Sequence, residues 1–115
     1  MKLFEHLSAR GKVLPYDRFR LFLDLPDECS TAHLSALQRE ELVNAGQAAL
    51  ERDYPALPAS LYRQFVLAGN RSDYETCYFD RRGMLADLVR AELAEQKGRF
   101  LTKIIDGVWA LLEET

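Results

Sequence analysis

Ser72-Asp-Tyr-Glu-Thr-Cys-Tyr-Phe-Asp-Arg-Arg-Gly-Met-Leu-Ala-Asp-Leu-Val-Arg-Ala-Glu-Leu-Ala-Glu-Gln-Lys97 is the stretch whose reading decides the fold. Ser72 and Glu75 stand at capping-box spacing, so the hydroxyl of one can satisfy the amide of the other while the carboxylate reaches back. The helix they open is predicted to run to about Lys97, where Gly98 offers a C-terminal cap. At 1.5 Å per residue it is a rod of roughly 37 Å. On a wheel of about 100° per residue, Thr76, Asp80, Gly83, Asp87, Arg90 and Ala94 form one narrow polar stripe. Tyr74, Tyr78, Phe79, Leu85, Leu88, Val89 and Leu93 cover most of the rest, so this helix needs neighbours on more than one side. Arg81 falls inside the apolar arc, Glu92 lies further along it, and Arg82 sits above Val89. Charges there are costly unless paired or wetted. Either their stems are buried and their heads reach solvent, or one of them lines an anion-binding groove.

Upstream, Ser30 or Thr31 can cap a helix with apolar positions Leu34, Leu37, Leu42 and Ala45, ending near Asp53. Tyr54-Pro-Ala-Leu-Pro58 is a stiff connector. Pro58 suits the first turn of a helix carrying Leu61, Tyr62, Phe65 and Val66, which Gly69-Asn70 closes. Residues 2–9 can form a short helix stopped by Gly11, and Tyr16–Leu23, between Pro15 and Pro26, is compatible with an extended segment or with a helix. Downstream, a last helix begins near Arg99 and places Phe100, Leu101, Ile104, Ile105, Val108, Leu111 and Leu112 on one half of its circumference. Trp109 lies at the seam. Five helical segments and no strand make an all-α protein, read as a single helical domain over 1–115.

The chain has 115 residues and 48% hydrophobic content, enough to bury a core without disulfides or metals. A net charge of −3 argues against wholesale binding to nucleic acid or an anionic membrane surface. Cys29 and Cys77 lie far apart and near no histidine, which forms no zinc or redox motif; two reduced thiols are expected, with a single disulfide as the alternative. The charged start Met1-Lys-Leu-Phe-Glu-His-Leu7 is unlike a signal peptide, and no apolar run is long enough to span a bilayer. A cytoplasmic protein without cofactor or metal is the expectation.

Several strings carry a family resemblance: Pro55-Ala-Leu-Pro-Ala-Ser-Leu-Tyr62, Gly69-Asn-Arg-Ser-Asp-Tyr-Glu75, Tyr78-Phe-Asp-Arg-Arg82, Ala91-Glu-Leu-Ala-Glu-Gln-Lys-Gly-Arg-Phe-Leu101 and Ile105-Asp-Gly-Val-Trp-Ala-Leu-Leu-Glu-Glu114. Across residues 54–115 the chain resembles the N-terminal region of heparinase II/III-like proteins. The Gly-Asn-Arg-Ser and Trp-Ala-x-x-Glu-Glu strings are the most specific parts. In that family the Glu-Glu string is followed by a Trp and a Pro-Ala-His segment, so the sequence reads as cut short before them, at an apolar helix with no stop signal.

The resemblance implies the opening part of an (α/α) toroid and a parent that cleaves acidic polysaccharides by β-elimination. In that chemistry one group neutralises the uronate, a base removes the C5 proton, and an acid protonates the leaving oxygen. The family's catalytic residues lie further along the chain. No catalytic residue is therefore expected here, and this chain alone is expected to be inactive. The implied partners are an acidic polysaccharide or oligosaccharide and the remainder of the toroid. The alternative is a free-standing helical protein–protein interaction module, pairing through exposed apolar faces, for instance as a homodimer.

Six residues are candidates for binding substrate. Asn70 and Arg71 open the most specific string. Asn70 also works as a helix cap, and Arg71 could be a solvated side chain or a fork for carboxylate or sulfate. Trp109 and Glu113 are one turn apart. A sugar ring could stack on the indole while Glu113 accepts from its hydroxyls, or the tryptophan is core and the glutamate solvated. Tyr74 shares a stripe with Tyr78 that is either cleft or core, and Arg82 is the remaining candidate. His6 and His33 lie outside the matched region and read as surface residues.

Overall fold

The computed structural model describes Thr31 and residues 33–114, which belong to one compact unit, Thr31–Thr115. The predicted helix at 2–9, the segment at 16–23, Cys29, His6 and the cap at Ser30 lie outside the described residues, as does much of the expected single domain over 1–115. All regular structure among the described residues is helical: α1 Ala36–Leu50, α2 Ala59–Ala68, α3 Ser72–Glu95 and α4 Leu101–Leu112. None of these helices is long and apolar enough to cross a membrane.

The first helix begins later than predicted. Ser35, not Ser30 or Thr31, is its N-cap. The Gln38 amide donates to Ser35 Oγ at 3.1 Å, and the Ser35 amide donates to Gln38 Oε1 at 2.8 Å. This capping box satisfies two amides that have no partner within the helix. Thr31 instead sends its hydroxyl to the Leu93 carbonyl at 3.3 Å.

The capping box expected at Ser72 and Glu75 does not form. Helix α3 is already under way at Ser72, whose carbonyl accepts from the Thr76 hydroxyl at 2.8 Å. The Glu75 carboxylate accepts from Arg71 Nε. Arg71 is the N-cap and offers no side-chain cap bond; Asn70, one residue ahead, reaches the first turn instead, its Oδ1 accepting from the Asp73 amide at 3.4 Å and its Nδ2 donating to Asp73 Oδ2 at 2.8 Å. The turn before it matches expectation. Gly69 is left-handed at φ 67°, its amide donating to the Phe65 carbonyl at 3.1 Å.

Helix α3 also stops earlier than Lys97. Gln96 takes the left-handed conformation at φ 58°. Its last carbonyls, which have no acceptor role inside the helix, are covered from α1: Arg39 Nη1 donates to the Ala94 carbonyl at 3.1 Å. A guanidinium there also suits the negative end of the helix dipole. Ala94, placed on the polar stripe by the wheel, is therefore buried beneath α1. Glu92 resolves its conflict with the apolar arc by reaching across the turn. Its carboxylate accepts from the Gly98 amide at 2.7 Å and the Phe100 amide at 3.3 Å, at the start of α4.

The core is narrower than the wheel implies. Met84, Leu88 and Ala91 of α3, Ala49 of α1 and Phe100 before α4 are buried, with Val43, Leu50, Tyr54 and Ile104 packed against them. Two glycines make this packing close. A Cβ at Gly46 would lie 2.1 Å from Ala91 Cβ, and one at Gly107 would lie 2.2 Å from the Tyr54 hydroxyl. Tyr54 uses that space to donate to the Lys103 carbonyl at 3.0 Å, fastening the connector to α4.

Many apolar side chains remain outside this core. Leu37, Phe65, Val66, Phe79, Leu93, Leu101, Ile105 and Val108 are exposed. The predicted apolar half of α4 is thus divided: Phe100 and Ile104 pack inward, and Leu101, Ile105 and Val108 do not.

Candidate functional site

The sequence places a row of aromatic residues one turn apart on α3, and the structure extends it onto α2. Tyr74 and Tyr78 stack with ring centroids 5.9 Å apart. Tyr62 of α2 meets Tyr74 edge-on at 5.6 Å, and Phe79 meets Tyr78 edge-on at 5.2 Å. Between them opens a cavity of about 360 Å³, lined by Tyr62, Phe65, Arg71, Tyr74, Glu75, Tyr78 and Phe79. A second recess of about 670 Å³ lies beyond the Tyr62–Tyr74 wall and is bordered by Leu57, Pro58, Ala59, Arg81, Glu113 and Glu114.

The arginines of the apolar arc are both held by protein acceptors rather than open to an anion, Arg81 largely buried and Arg82 still in part exposed. Arg81, with only 13% of its side chain exposed, donates Nε to the Pro55 carbonyl at 2.6 Å. Its Nη1 donates to the Ala110 carbonyl at 3.1 Å and to Glu114 Oε1 at 3.3 Å. Arg82 donates Nη2 to Glu114 Oε2 at 2.7 Å and Nη1 to the Tyr78 carbonyl at 2.9 Å. Its guanidinium carbon lies 3.4 Å from the Tyr78 ring centroid, a cation–π contact. The hydrogen bond to Glu114 is the main reason the Arg82 pKa rises above its ordinary value, against the opposing effect of desolvation. Glu114, 9% exposed, is thus the carboxylate that permits two guanidinium groups in an apolar neighbourhood.

The sequence-predicted residues divide into three places. Arg71, Tyr74 and Tyr78 line the aromatic cavity, with Asn70 just ahead of them bonded to Asp73 in the first turn of α3. Arg71 already holds Glu75. Arg82 lies behind Tyr78, held by Glu114. Trp109, on α4, and Glu113, its C-cap, lie outside the aromatic cavity, Glu113 bordering the second recess. The tryptophan is not core: it is 65% exposed, and its indole N–H donates to Glu113 Oε1 at 2.8 Å. A sugar stacking on this indole would therefore meet a Glu113 already engaged as acceptor. His33 is exposed, and Cys77 is a half-buried free thiol.

Sequence reading did not single out Tyr62, Phe65 and Phe79 as cavity walls, nor Glu114 as an anchor. Tyr62 and Phe65 carried a helical-face signal, but nothing in the sequence fixed how α2 turns toward α3. Glu114 had a nearer signal, since a carboxylate was needed by two arginines in an apolar arc. Among the described residues, no group of three or more His, Cys, Asp or Glu side chains is arranged to hold a metal ion. No known protein-family pattern matches the chain, and no curated protein matches it significantly.

Proposed function

We propose that this chain supplies opening helices of an (α/α) toroid in a heparinase II/III-like polysaccharide lyase, contributing part of the carbohydrate-facing wall and none of the catalytic residues. The observation that carries the reading is the location of the family-like strings. They span α2, α3 and α4 and the turns between them, and the same helices leave Val66, Phe79, Ile105 and Trp109 uncovered. Helices that bury one face and expose another apolar face suit a ring in which each hairpin packs on the next. The aromatic cavity, with its ion pair at the rim, suits contact with sugars.

A second reading rests on the exposed apolar side chains of α4. A free-standing interaction module would cover Leu101, Ile105 and Val108 with a partner, for instance a second copy. The two readings part at the reading frame beyond codon 115. The lyase reading expects it to continue with a tryptophan and a Pro-Ala-His segment. A stop codon directly after Thr115, with a stable dimer in light scattering, sinks the lyase reading and leaves the module.

A further inference from the structure

Helix α2 is attached differently from the other three. Nine of its ten residues are exposed, and the tenth, Leu61, is half-buried. Each other helix buries at least one residue, such as Ala49 in α1, Leu88 in α3 and Gly107 in α4. No residue of α2 belongs to the buried core. Among the described residues, no side chain of α2 makes a hydrogen bond or ion pair with another element. Its ring contact with α3 is Tyr62 edge-on to Tyr74, at 5.6 Å between centroids. Phe65, Val66 and Leu67 all remain largely exposed, so burial does little to hold the helix in place. Standing alone, a helix shorter than about 12 residues is marginal in water.

The chain on either side of α2 is held more firmly than the helix itself. Before it, the Pro55 carbonyl accepts from Arg81 Nε at 2.6 Å, and Pro58 is extended at ψ 151°. After it, Asn70 is bonded to Asp73 in the first turn of α3. Gly69 between them is left-handed at φ 67°, and a Cβ there would meet nothing within 4 Å, so this turn has open space around it. We infer that α2 is a strap, pinned at Pro55 and Asn70, that lifts off α3 and loses its helical form while α1, α3 and α4 stay folded. Tyr62 and Tyr74 border both recesses, so lifting the strap opens both at once. Occupancy of either recess is thereby linked to docking of the strap. Whatever grips Tyr62 holds α2 down, and its affinity is reduced in proportion to the undocked fraction. The inference goes beyond the lyase reading and does not depend on it.

Amide hydrogen exchange of the full 115-residue chain, followed by NMR in urea below the unfolding transition, tests the strap. The amides of Arg63 to Ala68 are expected to exchange at least about a hundredfold faster than those of Leu88 and Ala91. Their rates should change less than about twofold with urea, because a local opening exposes little new surface. Gln64→Pro provides the second measurement, since it removes an amide from the middle of α2. Within a cooperative element such a proline lowers the folding equilibrium roughly a hundredfold or more. Here it is expected to give residues 59–68 the chemical shifts of an unfolded chain and to leave the urea midpoint of α3 unchanged. Exchange of the α2 amides with the protection and urea dependence of Leu88 overturns the strap. So does a Gln64→Pro protein whose α3 midpoint falls or which fails to fold.

Discussion

Replacing Gly46 by alanine sets two known effects against each other. In the middle of α1 the substitution should favour the helix by about 1 kcal/mol, because glycine is the poorest helix former after proline. The new methyl, however, would lie 2.1 Å from Ala91 Cβ on α3, with Phe100 Cε1 at 3.3 Å and the Asp87 carbonyl oxygen at 3.4 Å. Carbon atoms rest about 3.5 Å apart or more, so α1 and α3 must separate by roughly 1.4 Å at their crossing. Ala91 is fully buried and has no rotamer to yield. The separation also loosens Met84, Leu88 and Phe100. Overpacking of this kind costs about 1–3 kcal/mol and occasionally more, and here the obstacle is another helix. The net expectation is a loss of about 1–2 kcal/mol, read as a lower urea midpoint at unchanged slope. Gly83→Ala is the matched control, since a Cβ there meets nothing within 4 Å and position 83 is exposed. It should raise stability by about 0.5–1 kcal/mol. A Gly46→Ala protein as stable as the parent would refute the close crossing of α1 and α3.

Gly107→Ala should likewise destabilise, because its Cβ would lie 2.2 Å from the Tyr54 hydroxyl. In a Tyr54→Ala background that penalty should shrink, and a double-mutant cycle on urea midpoints measures the coupling. Glu114→Ala strands Arg81 and Arg82, with an expected loss of about 1–3 kcal/mol by chemical denaturation. The figure is held below that of a fully buried pair because 34% of the Arg82 side chain is exposed and solvent screens it. The hydrogen bond from Arg99 chiefly lowers the Glu95 pKa. Its stabilising effect is therefore present at neutral pH and lost as pH falls below the ordinary carboxylate value toward the folded one; an NMR titration should place the Glu95 midpoint higher in Arg99→Gln. Desolvation, helped by Asp106, raises the Tyr54 pKa above 10.0. That contribution is intact below pH 10.0 and lost as pH rises toward the folded value, so the parent should lose stability above pH 10.0 more steeply than Tyr54→Phe, in which nothing titrates at this position; urea midpoints across the alkaline range check it.

The helical class was legible because caps and periodicity are local. Proline at 55 and 58 and the Gly69-Asn70 turn marked α2 correctly, since both act through backbone conformation alone. Most of what was misplaced depended on distant partners, and the exception is the start of α3. Ser72 carries capping-box spacing, but Asn70, two residues earlier, bonds to the first turn instead. Ala94 looked polar-side on a wheel, and only the crossing of α1 with Arg39 buries it. Arg81 and Arg82 were recognised as a conflict in the apolar arc, yet their resolution, Glu114, lies more than 30 residues away. For the candidate site, Arg71 and Tyr74 were legible from their string and stripe. The opposing wall, Tyr62 and Phe65, needed the turn angle between α2 and α3, which no spacing encodes. Trp109 is exposed because α4 turns Phe100 and Ile104 inward instead.

The most direct test of the lyase reading is a β-elimination assay, following ultraviolet absorbance of the unsaturated uronate product from heparin, alginate and related polymers. The isolated chain is predicted to release none, and any longer product of the same reading frame that the lyase reading calls for is predicted to release it. Product formed by the isolated chain, or by neither form on any acidic polysaccharide, would contradict the account.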